Sequence, residues 1–362
     1  MPYGVQHRPL PVALDEITRD WLTAALRTRA ADATVRDFRI VDVAHSTTTK
    51  VRLRLEMDEA GKRAGIPPLV ILKGGFEPHS RGLGHMHERE VRGYRDVLPL
   101  IDLPTPACYF ADFDAERQQG IIIMDDLVAR GVTFCHATQP QSAEQIARRL
   151  TVLARFHART WDSADLRAGG RWADLVDFFD VMREFFEWGT EPQTWQRFVT
   201  SPRGAATSVR FHDRQWLIDS WNKVVRFGQK QVYCVLHGDV HLGNLYLERD
   251  GTPGFLDTLA SRGPGMLEVS YHISASLDTF DRAASEQALV RHYLDELVRN
   301  GAPAPAFADA MHQYGLFLLY GHIIWMTTEP HMQTEAVNTA NAARVSAAMI
   351  DHRILDLLKQ CP

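Results

Sequence analysis

The chain has 362 residues, 45% of them hydrophobic and 23% charged, with a formal net charge of -5. That balance belongs to an ordinary folded protein and excludes a disordered or fibrous chain. With no run of five or six like charges, it also excludes an electrostatic case for nucleic acid or an anionic membrane, so neither is expected as a partner. In chain order, Ile17, Trp21, Leu22 and Leu26 recur at helical spacing after Asp15, which predicts a short amphipathic helix capped by Asp15. Three strand-like runs follow, Val35 to Val43, Val51 to Met57 and Leu69 to Lys73. The second alternates Val51, Leu53 and Leu55 with Arg52, Arg54 and Glu56, as a half-buried strand of an antiparallel sheet does. Val91, Tyr94 and Leu98 predict a helix between Glu88 and Leu98, and a strand returns at Ile121 to Met124.

From Ser142 onward the texture changes to helices joined by Pro/Gly turns, beginning with Ile146, Leu150, Leu153 and Phe156 on one face. The exception is Val232 to Ile273, where short apolar runs are broken by Gly238, Gly243, Gly251, Gly254, Gly263 and Gly265. Loops on a rigid scaffold are where chemistry sits. The change of texture near residues 127 to 141 divides the chain into 1–127 and 128–362, an α+β arrangement with sheet first and helix after. The cysteines Cys108, Cys135, Cys234 and Cys361 lie far apart without C-x-x-C or zinc-ligand spacing, which suits free thiols in a reducing, cytoplasmic setting. No signal pattern opens the chain, and the apolar stretch Gly315 to Trp325 is too short to span a bilayer.

The residues with chemical potential are concentrated in Leu236-His237-Gly238-Asp239-Val240-His241-Leu242-Gly243-Asn244, with Asp257 following inside Phe255-Leu256-Asp257. Phosphoryl transfer to an alcohol needs a carboxylate that orients the hydroxyl and takes its proton, plus oxygen ligands that hold magnesium against the phosphates. Asp239 suits the first role, Asn244 and Asp257 the second. The spacing from Asp239 to Asn244 is that of the kinase catalytic loop, and Asp257 stands where the aspartate of a D-F-G motif would follow. His237 and His241, flanking the aspartate, are expected to pack rather than bind metal.

These residues resemble the aminoglycoside-phosphotransferase and choline-kinase superfamily, whose members carry H-G-D-x-H-x-x-N, and within it the ecdysteroid-kinase-like small-molecule kinases. The resemblance covers about Val41 to Leu297. It implies a bilobal protein-kinase-like fold, with a small antiparallel β-sheet lobe for the nucleotide and a larger, mainly helical lobe for catalysis and the acceptor. ATP and Mg²⁺ are the implied cofactors, with a small-molecule alcohol as substrate. Lys73, at the end of Val70-Ile71-Leu72-Lys73, takes the place of the family's phosphate-binding lysine, and Glu90 rather than Glu88 that of its helix partner. Ile123-Met124-Asp125-Asp126-Leu127 corresponds to the hinge that holds adenine, so Asp125 and Leu127 are implied nucleotide contacts. The phosphate loop falls on Ala44 to Lys50, where Ser46, Thr47 and Thr48 stand without any glycine. Glu268 occupies a position where the family often has aspartate.

Charge bears on the acceptor. Between Thr160 and Lys230 there are ten acidic and ten basic residues, so the carboxylate surplus suited to polycationic aminoglycosides is absent. The same segment is rich in aromatic residues, among them Phe178, Phe179, Phe185, Phe186, Trp188 and Trp195, and favours an uncharged, largely apolar alcohol. Other readings are an aminoglycoside kinase, a hydroxyacyl-CoA kinase using Arg203, Arg210 and Arg214, and a nucleotide-binding scaffold without catalysis.

Overall fold

The computed structural model describes residues 9–45 and 48–361. The chain divides into two compact units, one built from the chain up to Leu100 with Thr105–Val132, the other from Ile101–Pro104 with the chain from Thr133 onward.

In the first unit, α1 (Arg19–Arg27) precedes β1 (Val35–Ala44), β2 (Thr49–Met57), α2 (Glu59–Arg63), β3 (Leu69–Gly74), α3 (Gly84–Arg92), β4 (Cys108–Asp114), β5 (Gln119–Asp125) and α4 (Leu127–Arg130). The strands form one antiparallel sheet in the order β1-β2-β3-β5-β4. Period-two alternation sorts its side chains. Val51, Leu53, Val70, Leu72, Ile121 and Ile123 pack with Trp21 and Leu22 of α1, while Ile122 and Met124 turn to the other face and meet Val91 and Tyr94. Lys73 is paired with Ile122 in the register, so it shares the α3 face.

Two local expectations are corrected. Helix α1 is capped by Thr18, whose hydroxyl accepts from the Trp21 amide at 3.2 Å, while Asp15 lies in a separate 3₁₀ turn, Leu14–Glu16. The helix expected from Glu88 to Leu98 ends as an α-helix at Arg92 and continues as a π turn, Gly93–Val97, closed by the Leu98 amide on the Gly93 carbonyl at 2.9 Å.

The second unit holds β6 (Thr133–Phe134), α5 (Ala143–Ala158), α6 (Phe178–Gly189), α7 (Pro192–Val199), α8 (Pro202–Ala205), α9 (Arg214–Gly228), β7 (Tyr233–Leu236), β8 (Leu245–Leu247), β9 (Pro253–Phe255) and β10 (Ser261–Pro264). Helices α10 (Gly265–Ser276), α11 (Thr279–Arg299), α12 (Phe307–Thr327), α13 (Glu335–Asp351) and α14 (Ile354–Gln360) complete it. Every residue of α10 is buried, and α12 packs along it with Leu316 to Ile323 equally enclosed. Helices apolar on all sides belong in a core. Two small antiparallel sheets, β6-β8-β9 and β7-β10, carry the loop between β7 and β8 at their ends. Among the described residues, no helix is long and apolar enough to cross a membrane.

Candidate active site

In the first unit, Lys73 on β3 meets Glu90 on α3 at 2.7 Å, with the two side chains only 6% and 5% exposed. A buried ammonium needs such a partner, because desolvation of an isolated charge costs several kcal/mol, on the order of its pair's attraction. Glu88, two residues earlier, faces outward. The carboxylate of Asp125 is taken up by the Tyr109 hydroxyl at 2.5 Å and Arg130 at 2.9 Å, so its side chain locks β5 to its surroundings. Asp126, buried, caps α4 through the Val128 and Ala129 amides and pairs with Arg52 at 2.6 Å. Leu127 opens α4, where the first backbone N–H groups have no partner within the helix. Ser46 and Thr47 lie outside the described residues, and Thr48 directly precedes β2.

In the second unit, strand β7 ends at Leu236 and releases the chain into His237–Asn244. Gly238 has φ +94°, and a Cβ there would come within 2.2 Å of the Leu259 carbonyl oxygen, so the turn requires glycine. Glu268, buried near the start of α10, receives the Gly238 amide at 2.6 Å, the His237 amide at 3.3 Å and the His157 ring at 2.8 Å. Its carboxylate therefore staples two successive amides of the loop to the central helix.

Among the side chains of the loop Asp239 is the accessible one, with 29% exposed, while His237, Val240, His241, Leu242 and Asn244 are buried. Asn244 donates through Nδ2 to both the Asp239 carbonyl and its Oδ2, each at 3.0 Å. His241 places Nε2 at 3.4 Å from the same Oδ2, and its Nδ1 accepts from the Gly243 amide. His237 accepts the Asp239 amide on Nδ1 and donates from Nε2 to the Leu256 carbonyl at 3.1 Å. Burial pushes the Asp239 carboxyl up, but the charge and hydrogen bond of His241, with His237, hold it below the usual carboxylate value. Burial pushes His241 down, and Asp239 and Asp257 outweigh it, holding the imidazole above the usual histidine value. For His237 burial wins, and the ring stays neutral.

Because Leu245 pairs with Phe255 and the Leu256 amide donates to the Asn244 carbonyl, β8 and β9 bring Asn244 and Asp257 to adjoining strand ends. Asp257 adopts φ +57°, an uncommon conformation for a non-glycine residue that marks functional turns. The Asn244 amide nitrogen is committed to Asp239, which leaves its oxygen as the atom suited to a cation. Among the described residues, no group of three or more His, Cys, Asp or Glu side chains converges on a metal position. An amide oxygen of Asn244 and a carboxylate of Asp257 are hard oxygen donors of the kind magnesium takes, one or two from protein with phosphates and water completing its shell.

Other expected site residues went elsewhere. Arg203 is fully buried, pairs with Glu335 and donates to the carbonyls of Trp325, Met326 and Thr328, so it is spent on structure. Arg214 donates to the Thr190 carbonyl, and Arg210 remains exposed. Phe178, Phe179, Phe186 and Trp195 are core, each 6% exposed or less. Aromatic residues that pack against the loop are Trp325, edge-on to His241 at 5.4 Å, and Phe255, 5.8 Å from His237, with Tyr271 stacked on Trp325 at 5.9 Å. Burial first, and then the Asp239 charge, raise the Tyr271 hydroxyl well above its usual pKa. The sequence points to Trp325, on the apolar helix from Gly315, as either pocket wall or core, and the side chain is 1% exposed; Tyr271 has no such signal, since α10 is buried on all sides.

The α+β fold with this loop is of the protein-kinase-like kind adopted by aminoglycoside phosphotransferases. A Ralstonia eutropha structure, whose assignment as an aminoglycoside phosphotransferase is provisional, superposes with a TM-score of 0.56 and 15% identity over 95% of this chain and 99% of that one. Choline kinase from Streptococcus pneumoniae gives 0.49 and 12% identity, covering 90% and 94%. Spectinomycin phosphotransferase, in complex with ADP and spectinomycin, gives 0.48 and 10%, covering 93% and 99%. No family model matches the chain, and no curated protein matches it in sequence.

Proposed function

We propose that the protein is an ATP-dependent phosphotransferase that moves the γ-phosphoryl group onto a hydroxyl of a small molecule. The observation that carries this reading is the Asp239 carboxylate, accessible on one side and fixed on the other by Asn244 and His241, in a loop stapled by Glu268. Asp239 orients the acceptor hydroxyl and takes its proton; the free Oδ1 edge is the one opposite Asn244 and His241. Lys73, aimed by Glu90, neutralises phosphate charge, and Asp125 and Leu127 hold the base through main-chain groups. Asn244 and Asp257 hold the magnesium, which, when bound with ATP, draws charge from the phosphate oxygens. A nucleotide-binding scaffold has no chemical need for a fixed base, and that weighs against an inactive protein.

For the acceptor we propose an uncharged, largely apolar alcohol, the substrate class of the ecdysteroid-kinase-like branch. Support comes from the even charge count between Thr160 and Lys230; Tyr271 and Trp325, each 1% exposed, pack behind the loop as core. A hydroxyacyl-CoA is disfavoured because Arg203, the first cation offered for its phosphates, is already engaged.

Calorimetric titration of ATP with and without Mg²⁺, on the wild type and Asp257→Ala, tests the nucleotide site before any acceptor is known. Magnesium-dependent binding that the variant loses is the expected result. Absence of ATP binding in the wild type would instead leave a scaffold as the better reading.

A further inference from the structure

A groove of about 770 Å³ opens within the first unit, walled by α1, β4 and the π turn that follows α3. That volume lies in the range of small-molecule sites, about 300–1,000 Å³. Its lining includes the half-buried Phe110 and Leu98, together with the buried Pro106 and Trp21, the latter edge to face with Phe110 at 5.7 Å. Neither Lys73 nor Glu90 lines it.

The charges around the groove are unequal. Arg95 is neutralised by Asp96 at 2.9 Å and Asp112 at 3.1 Å. Arg29 is exposed, lies over the Tyr109 ring at 5.5 Å and makes one long hydrogen bond to the Cys108 carbonyl. Among the described residues it has no ion pair. A guanidinium lying over the buried Tyr109 ring keeps its N–H edge for an oxyanion, while the half-buried Phe110 and Leu98 are the apolar side chains open to a flat group. A cationic ligand would meet uncompensated positive charge.

We infer that this groove is a second small-molecule site, taking a ligand with a flat apolar body and one anionic group. The inference stands apart from the phosphotransfer reading. Its walls nevertheless touch that machinery: Tyr94 and Leu98 continue the chain from Glu90, and the Tyr109 hydroxyl donates to Asp125.

The test titrates 1-anilinonaphthalene-8-sulfonate into the full chain, with and without saturating MgATP, beside its neutral analogue N-phenyl-1-naphthylamine. Arg29→Glu and Thr28→Trp, both at exposed positions of the groove, serve as variants whose folding is checked by melting. About one equivalent of the sulfonate is expected to bind whether or not MgATP is present. Arg29→Glu should weaken the sulfonate about tenfold or more, the loss of one charge-assisted contact, and the neutral probe by less than about threefold. Thr28→Trp should exclude both probes. No binding to the wild type, displacement by MgATP, or equal effects of Arg29→Glu on the two probes would overturn the inference. Should MgATP itself not bind, the nucleotide-free arms decide the groove in the same way, so the two readings fail separately.

Discussion

Asp239 draws its properties from partners that come from both sides of it in the chain. Asn244 reaches it from five residues later, His241 from two, and His237 holds its amide from below. Replacing Asp239 with Ala should reduce phosphoryl-transfer turnover by about 100-fold or more, the usual scale of general base catalysis, while ATP affinity changes little. Steady-state rates with calorimetry on the same variant check this, and an equal loss in both would reassign the residue. The Gly238 turn is a purely structural demand. Gly238→Ala forces a Cβ against the Leu259 carbonyl at a positive φ, with an expected cost of about 1–3 kcal/mol read as a lower urea midpoint.

At the scale of elements, β3 and α3 act as a unit because period-two alternation puts Lys73 on the face that α3 covers. Glu90→Gln removes one charge from a buried pair and leaves a neutral acceptor in place of the carboxylate. ATP affinity should fall, and stability should fall with it, by about 3 kcal/mol at most, since the amide still accepts a hydrogen bond. Calorimetry and denaturant titration separate the two effects. The π turn after α3 ends the regular helix at Gly93, a break that period counting over Val91, Tyr94 and Leu98 smooths over. On the other side of the sheet, α1 supplies Trp21 and Leu22 to the core, so the leading helix is part of the unit rather than an appendage.

For the whole molecule, buried neutral histidines set the response to acid. Burial pushes His272, on α10, down to about 3 and His322, on α12, down to about 4. An unfolded histidine takes up its proton near pH 6.5, whereas these stay neutral in the native state until far lower pH. The unfolded state therefore binds more protons as pH falls below about 6.5, and stability must decline with it. Each such histidine contributes up to about 1.4 kcal/mol per pH unit across that window. The melting temperature should be lower at pH 5 than at pH 7, and His322→Phe should make the decline shallower than in the wild type.

What the sequence by itself determined were the features that depend on neighbours along the chain. Alternation placed β2, and the short spacing from Asp239 to Asn244 declared a loop whose residues touch one another, because five residues cannot separate far around a 3₁₀ turn. The roles of Lys73 and of Glu90 over Glu88 come from the family resemblance, and the register of β3 brings the two side chains together. Only the tertiary structure decided that Arg203 serves four partners inside the core, that Glu268 staples the loop from thirty residues away, and that Tyr271 and Trp325 stand beside Asp239. Those assignments depend on which faces of all-apolar helices meet. Periodicity carries no information about that choice when every face is buried.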